Sequence, residues 1–220
     1  MAGQVRSGDR ILVKPATLLD CEVPLEVLQP ERYVSRGGLK LEAALREFGI
    51  DVTGLRCVDI GASTGGFTDC LLQHGAASVL AVDVGRAQLH QKLRDDPRVT
   101  LLDHTNARDL PPLPELDFFA VDVSFISVRK VLPSLARRLP AATPGVVLLK
   151  PQFELEPANI PHGGVVRAPE MRARAAGDFA NWLEAEEWTL HGIIDSPVPG
   201  GDGTVEFLAH VSTPHGKPSC

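Results

Sequence analysis

No run in these 220 residues approaches the roughly 20 consecutive apolar residues of a membrane span. The stretch Met1 to Asp9 carries charge without the apolar core of a secretion signal. Together these absences predict a soluble, cytosolic protein. Nor is there an amphipathic basic helix or a barrel-like alternation that could insert into a bilayer, so a membrane-damaging activity ranks low. Cysteine is scarce: Cys21, Cys57, Cys70 and Cys220 form no CxxC pair and no His-rich spacing, which argues against both a disulfide framework and a zinc or other metal site. Reduced thiols are expected. A basic surplus is also missing, because 22 Lys and Arg stand against 28 Asp and Glu, for a net charge of -6. Such a chain does not hold nucleic acid by bulk charge alone. What remains is globular in composition, 44% hydrophobic and 23% charged, with the length of one domain plus a small appendage.

Charge is nevertheless uneven. Arg6, Arg10, Lys14, Arg32, Arg36 and Lys40 make the first part of the chain more basic than the acidic stretch from Trp182 to Glu187. That bias suits either a phosphate-contacting face or ordinary scattered surface charge. Within the same part, Ile11-Leu12-Val13 and Leu25-Glu26-Val27 read as short strand pieces, too few to bury a core alone. Ser35 is placed to cap a helix that carries Leu41, Ala44, Leu45 and Phe48 on one face.

From Arg56 onward the pattern alternates. Strands are predicted over Arg56 to Ile60, Ser78 to Val82, Val99 to Leu102, Phe118 to Val121 and Val146 to Leu149. Helices are predicted from Phe67, over Arg86 to Leu93, around Val128 to Leu139 and over Glu170 to Glu187. This βαβ rhythm implies an α/β fold with a mostly parallel sheet covered on both faces by helices. Two later apolar runs, Leu190 to Ile194 and Val205 to Val211, suit neighbouring strands joined by Ser196 to Gly203, and the tail from Thr213 to Cys220 reads as unstructured.

One segment narrows the function. The strand Cys57 to Ile60 empties into Gly61-Ala62-Ser63-Thr64-Gly65-Gly66-Phe67, a small-residue loop that can bring backbone close to a nucleotide. The loop lacks the Lys-Ser/Thr ending of a phosphate-binding loop, and Ala62-Ser63-Thr64 between Gly61 and Gly65 departs from GxGxxG. A cofactor with an adenosine but no pyrophosphate fits better, and S-adenosylmethionine is such a molecule. Asp83, at the end of the next strand, is placed to accept hydrogen bonds from both ribose hydroxyls. An ordinary tight turn after a strand is the blander alternative.

Ligands of an open parallel sheet bind beyond the carboxyl ends of its strands, which puts polar residues there on the shortlist for chemistry. Asp122 follows Phe118 to Val121, Lys150 follows Val146 to Leu149, Glu206 falls in the last strand, and Lys40 lies in the helix before the sheet. An Asp122/Lys150 ion pair is expected, and by itself it could be merely structural. Beside a cofactor loop it suits methylation of a ribose hydroxyl. There a desolvated lysine near a second cation can accept a proton that a carboxylate is too weak to take. Lys150 is the expected base and Lys40 the second cation, with Asp122 and Glu206 orienting them.

The chain resembles the TlyA-like ribosomal RNA 2'-O-methyltransferases, often labelled haemolysins, within the FtsJ-like group. The likeness rests on ordered matches along nearly its whole length: Tyr33-Val34-Ser35-Arg36-Gly37-Gly38-Leu39-Lys40-Leu41, Asp59 to Thr68, Thr105-Asn106-Ala107-Arg108, Asp122-Val123-Ser124-Phe125-Ile126-Ser127, Lys150-Pro151-Gln152-Phe153-Glu154 and Gly163-Gly164-Val165-Val166-Arg167. It implies a Rossmann-like class I methyltransferase fold with a seven-stranded, mostly parallel sheet whose last strand is antiparallel. It also implies a Lys-Asp-Lys-Glu tetrad at Lys40, Asp122, Lys150 and Glu206. S-adenosylmethionine would be held by Asp59, Gly61, Ala62, Ser63, Thr64, Gly65, Gly66, Phe67, Asp83 and Val84, with Asp103 or Asn106 at the adenine, and substrate by Arg36, Phe125 and Arg167. By the same resemblance, residues 1–32 are the remnant of an S4-like RNA-binding domain and linker, 33–213 the methyltransferase domain and 214–220 a flexible tail. Ribosomal RNA or a ribosomal subunit is the implied partner. With the RNA-binding module curtailed and the net charge acidic, a small-molecule or nucleoside acceptor, or cofactor binding without turnover, are the alternatives.

Overall fold

The computed structural model describes residues 5–8, 10–12, 23–27, 31–86, 88–156, 160, 164–201 and 203–216. The chain divides into two compact units, Met1–Arg32 and Tyr33–Cys220. In the first, β1 (Val5–Ser7) lies between β2 (Arg10–Leu12) and β3 (Glu26–Val27), antiparallel to both. Arg6 Nε donates to Glu26 Oε2 across β1 and β3 at 2.6 Å. The sequence pattern points to β2 and β3 but not to β1, whose Val5-Arg6-Ser7 has a single apolar residue and is a strand only through pairing. Lys14, Cys21 and Cys220 lie outside the described residues.

The second unit is built on a seven-stranded sheet. Its strands are β4 (Arg56–Ile60), β5 (Ser78–Val82), β6 (Val99–Leu102), β7 (Phe118–Val121), β8 (Pro144–Leu149), β9 (Thr189–Asp195) and β10 (Phe207–Ser212), in the spatial order β6-β5-β4-β7-β8-β10-β9. Neighbours from β6 to β8 pair in parallel, and β10 runs antiparallel to both β8 and β9. Successive strand residues point to opposite faces. Thus Val58, Ile60, Val121, Val147 and Leu149 fill one layer, and Cys57, Phe118, Ala120, Val146 and Leu148 the other. Burying each large apolar side chain contributes about 1.5–3 kcal/mol, which is why these strands read as unbroken apolar runs.

Helices cover both faces. On one lie α1 (Gly37–Glu47) and α2 (Gly66–Gln73), burying Leu41, Leu45, Phe67 and Leu71. On the other, α4 (Leu132–Arg138) and α6 (Pro169–Ala185) bury Leu132, Leu135, Phe179 and Leu183. Two short helices, α3 (Gln91–Arg94) and α5 (Pro151–Glu154), follow β5 and β8. No helix among the described residues is long and apolar enough to cross a membrane.

Four local expectations give way to the structure. Ser35 does not cap α1, since Arg36 occupies that position without a side-chain bond. Ser35 instead packs so tightly on Gly66 that a Cβ there would lie 2.2 Å from its Oγ. The helix predicted over Arg86 to Leu93 shrinks to α3, because His90 is extended and its ring accepts from Lys92 N as the helix cap. The helix predicted around Val128 to Leu139 is interrupted: a 3-10 turn at Val128–Lys130, capped by Ser127, precedes α4. Pro133 in the first turn of α4 has no N–H to carry the helix through. Thr213 is not part of a loose tail, for its Oγ1 accepts from Thr143 N at 2.9 Å and donates to Pro140 O at 2.8 Å.

Candidate active site

The carboxyl ends of β4, β5, β7 and β8 and the amino end of β10 meet at one edge of the sheet, because β10 alone is reversed. Register aligns Phe207 with Leu149, so Glu206, one residue before β10 rather than inside it, comes level with Lys150. Two ion pairs result. Lys150 Nζ lies 2.6 Å from Asp122 Oδ1, and Lys40 Nζ, from α1, donates to Glu206 Oε2 at 2.5 Å. The side chains of Lys40 and Glu206 are only 10% and 3% exposed. Burial pushes the Glu206 carboxyl upward against the opposing pull of Lys40 and Lys150, with Asp122 adding a smaller push upward. The four predicted tetrad residues therefore form one electrostatic group.

Beside it the chain encloses a cavity of about 890 Å³, lined among others by Asp83, Val84, Asn106, Val123, Ser124 and Phe125. A smaller lobe of about 220 Å³ is lined by Arg36, Lys40, Ala62, Thr64, Gly66 and Phe67. Gly61, Ser63 and Asp122 line both, so the two lobes meet at the glycine loop and the tetrad aspartate. Exposed apolar side chains mark the larger lobe: Val84 is 72% and Phe125 92% exposed.

The loop is shaped from within. Gly61 has φ +85°, and a Cβ there would sit 2.3 Å from the Asp122 carbonyl oxygen; Gly65, at φ +98°, abuts Leu89 and Leu93. The backbones after β4 and β7 thus touch at Gly61. Asp83 fastens the other side: Oδ2 accepts from Ser63 N at 2.7 Å and Oδ1 from Gly85 N at 2.6 Å. Beneath the loop Asp59, 0% exposed, accepts from Thr68 N at 2.9 Å and Thr68 Oγ1 at 2.6 Å, joining β4 to α2. Its second oxygen accepts no hydrogen bond among the described residues. Burial pushes its carboxyl up to about 7, opposed by the Thr68 bonds and reinforced by Asp122 and Asp83.

Residues 33–213 match the family model of the FtsJ-like methyltransferases. The chain belongs to that family. This FtsJ-like methyltransferase is 45% identical, over 96% of its length and 81% of the relative's, to the 16S/23S rRNA (cytidine-2'-O)-methyltransferase TlyA of Mycobacterium tuberculosis. It is 42% identical to hemolysin A of Brachyspira hyodysenteriae, over 93% of this chain and 86% of that one. A solved structure of a candidate hemolysin from Streptococcus thermophilus superposes with a TM-score of 0.82 at 40% identity, covering 96% of this chain and 79% of the other.

Not every residue singled out in the sequence lines the FtsJ-like cavity. Asn106 does, but its Oδ1 already accepts from Arg108 N and Nε, while Asp103 sits at the end of β6 outside the lining. Arg36 is exposed and lines the smaller lobe; Arg167 is exposed before α6 and lines neither. The structure adds residues that the pattern did not single out. Phe153 holds its ring 5.5 Å from that of Phe125, whose φ is +65°. Glu154 accepts from Ser127 Oγ, Val128 N and Arg129 Nε at 2.7, 2.8 and 3.1 Å, tying the segment after Phe125 to α5. Both lie in the Lys150-Pro151-Gln152-Phe153-Glu154 motif. Cys57 and Cys70 are buried free thiols, and burial raises Cys57 to about 12.

Proposed function

We propose that the chain is an S-adenosylmethionine-dependent methyltransferase that modifies the ribose 2'-hydroxyl of a cytidine in ribosomal RNA. The observation that carries this reading is the pair of ion pairs, Lys40–Glu206 and Lys150–Asp122, of which Asp122 lines both cavity lobes and Lys40 the smaller one. The names of the TlyA relatives support the acceptor.

The larger lobe suits an adenosine. Asp83 presents a carboxylate for ribose hydroxyls, Val84 and Val123 supply apolar wall, Asn106 a polar edge, and the volume is that of a small-ligand site. The loop from Gly61 to Phe67 would hold the remainder, with Asp59 supporting it from below. S-adenosylmethionine supplies an electrophilic methyl group on a sulfonium. Neutral Lys150 Nζ would take the proton of the ribose hydroxyl that accepts the methyl group. Asp122 fixes that amine, and the buried Lys40–Glu206 pair sets a second cation beside it. Alignment of hydroxyl and methyl supplies much of the acceleration. Arg36 and Phe125, at the rim, and Arg167 contact the RNA in this reading. The unit Met1–Arg32 is an S4-like RNA-binding segment, 33–213 the methyltransferase domain and 214–220 a tail, in a cytoplasmic enzyme.

The test is transfer of label from methyl-labelled S-adenosylmethionine to 30S subunits, 50S subunits and bare rRNA, followed by mapping of the product. The expected product is 2'-O-methylcytidine, lost in Lys150→Ala. Transfer to nucleosides or other small acceptors with none to RNA would overturn the acceptor, and full turnover in Lys150→Ala would overturn the base.

A further inference from the structure

Lys150 Nζ touches two oxygens. Besides Asp122 Oδ1 at 2.6 Å, it donates to Ser124 Oγ at 2.7 Å. Ser124 lies two residues beyond Asp122, exposed, in the lining of the larger lobe. Its hydroxyl is not needed to build the fold. It caps no helix, and Ser127, not Ser124, closes the following 3-10 turn.

An amine bound to one carbon has three remaining tetrahedral directions. In the ammonium all three carry N–H; in the neutral amine two carry N–H and the third the lone pair. Ser124, the aligned acceptor, claims one N–H. The Asp122 carboxylate, an ion-pair contact at 2.6 Å outside hydrogen-bond geometry, draws a second N–H toward its charge, and together the two leave a single direction for the lone pair. General-base efficiency depends on that direction, because proton transfer needs an aligned contact of hydrogen-bond length.

We propose that Ser124 is a positioning residue that aims the Lys150 lone pair, an inference that rests on Lys150 being the base. The hydroxyl acts through the amine and does not touch the reacting atoms. Its removal lowers the transfer step without loosening either ligand. Single-turnover methyl transfer, with the ribosomal subunit that accepts label and saturating S-adenosylmethionine, should fall about tenfold in Ser124→Ala, the upper scale of losing one hydrogen bond. The Kd values for cofactor and for subunit should stay within about twofold of the parent enzyme, since the loss belongs to kcat. Ser124→Thr, which restores a hydroxyl on the same carbon, should recover most of the rate.

A parental rate in Ser124→Ala beside an inactive Lys150→Met overturns this inference and leaves the base in place. So does an Ala variant whose only defect is weaker cofactor or RNA binding, because the hydroxyl is then a ligand contact. Full activity in Lys150→Met removes the base itself, and this inference with it.

Discussion

Strands β4 and β7 carry charge at both ends, and the ends differ in kind. At the amino edge Arg56 meets Asp117 at 2.8 Å and Glu115 at 3.0 Å, with half-exposed side chains and water on every side. At the carboxyl edge Lys40–Glu206 and Lys150–Asp122 are largely withdrawn from water, and Lys40 and Asp122 line a cavity. Both clusters look alike as lists of contacts. Only one borders the cavity. The exposed cluster is screened and solvated, so its net effect on stability is small. In the buried one each charge depends on its partner, and the environment shifts Glu206 away from its ordinary range.

That contrast can be broken most severely at Glu206. Glu206→Leu leaves Lys40 buried without a counter-charge and should cost about 3–5 kcal/mol in urea unfolding. The double variant Lys40→Met/Glu206→Leu should recover most of that stability while methyl transfer stays at least about 100-fold down. Recovery of activity along with stability would reduce this pair to a structural peg.

A second measurement concerns Asp59, buried like Lys40 and Glu206 but with no ion-pair partner among the described residues. Its carboxyl sits at about 7 in the folded chain against an ordinary 3.8, so the native state holds a proton that the unfolded chain has released. Stability is therefore lost as pH rises between those values and is level outside them, by an amount on the order of 4 kcal/mol. Asp59→Asn should remove that slope, making the variant relatively more stable at pH 8 than at pH 4 when urea midpoints are compared with the parent. An identical slope in both proteins would place the titration elsewhere. The smallest effect belongs to the amino edge: Arg56→Ala should methylate at the parental rate and unfold within a few degrees of it. A large loss there would erase the distinction between the two edges.

The same contrast explains what could be read beforehand. Strands β4 to β7 match their predicted bounds residue for residue, because each, including the less buried edge strand β6, is a short apolar run between breakers. The polar residue that ends each run was therefore visible as well, and so was Asp122 beside Lys150, since their strands follow one another through a single crossover. Lys40 and Glu206 were grouped with them beforehand, but that the two bond to each other was not legible. Their bond spans 166 positions and exists because β10 inserts next to β8 with α1 packed against it, a fact of strand order that no local pattern encodes. Ser124 escaped for a simpler reason. A serine after a strand is common, and only a distance to Lys150 singles it out. Ser35 misled because a serine before a helix usually caps it, whereas close packing on Gly66 took precedence.

The reversal of β10 has a consequence for synthesis. A newborn chain can lay down β4 to β8, with the loop at Gly61 and the amine of Lys150, long before the segment bearing Glu206 emerges. Lys40, among the first of the tetrad to leave the ribosome, must wait for the last to neutralise it. The charge group of Lys40, Asp122, Lys150 and Glu206 is thus assembled only when β10 takes its place between β8 and β9.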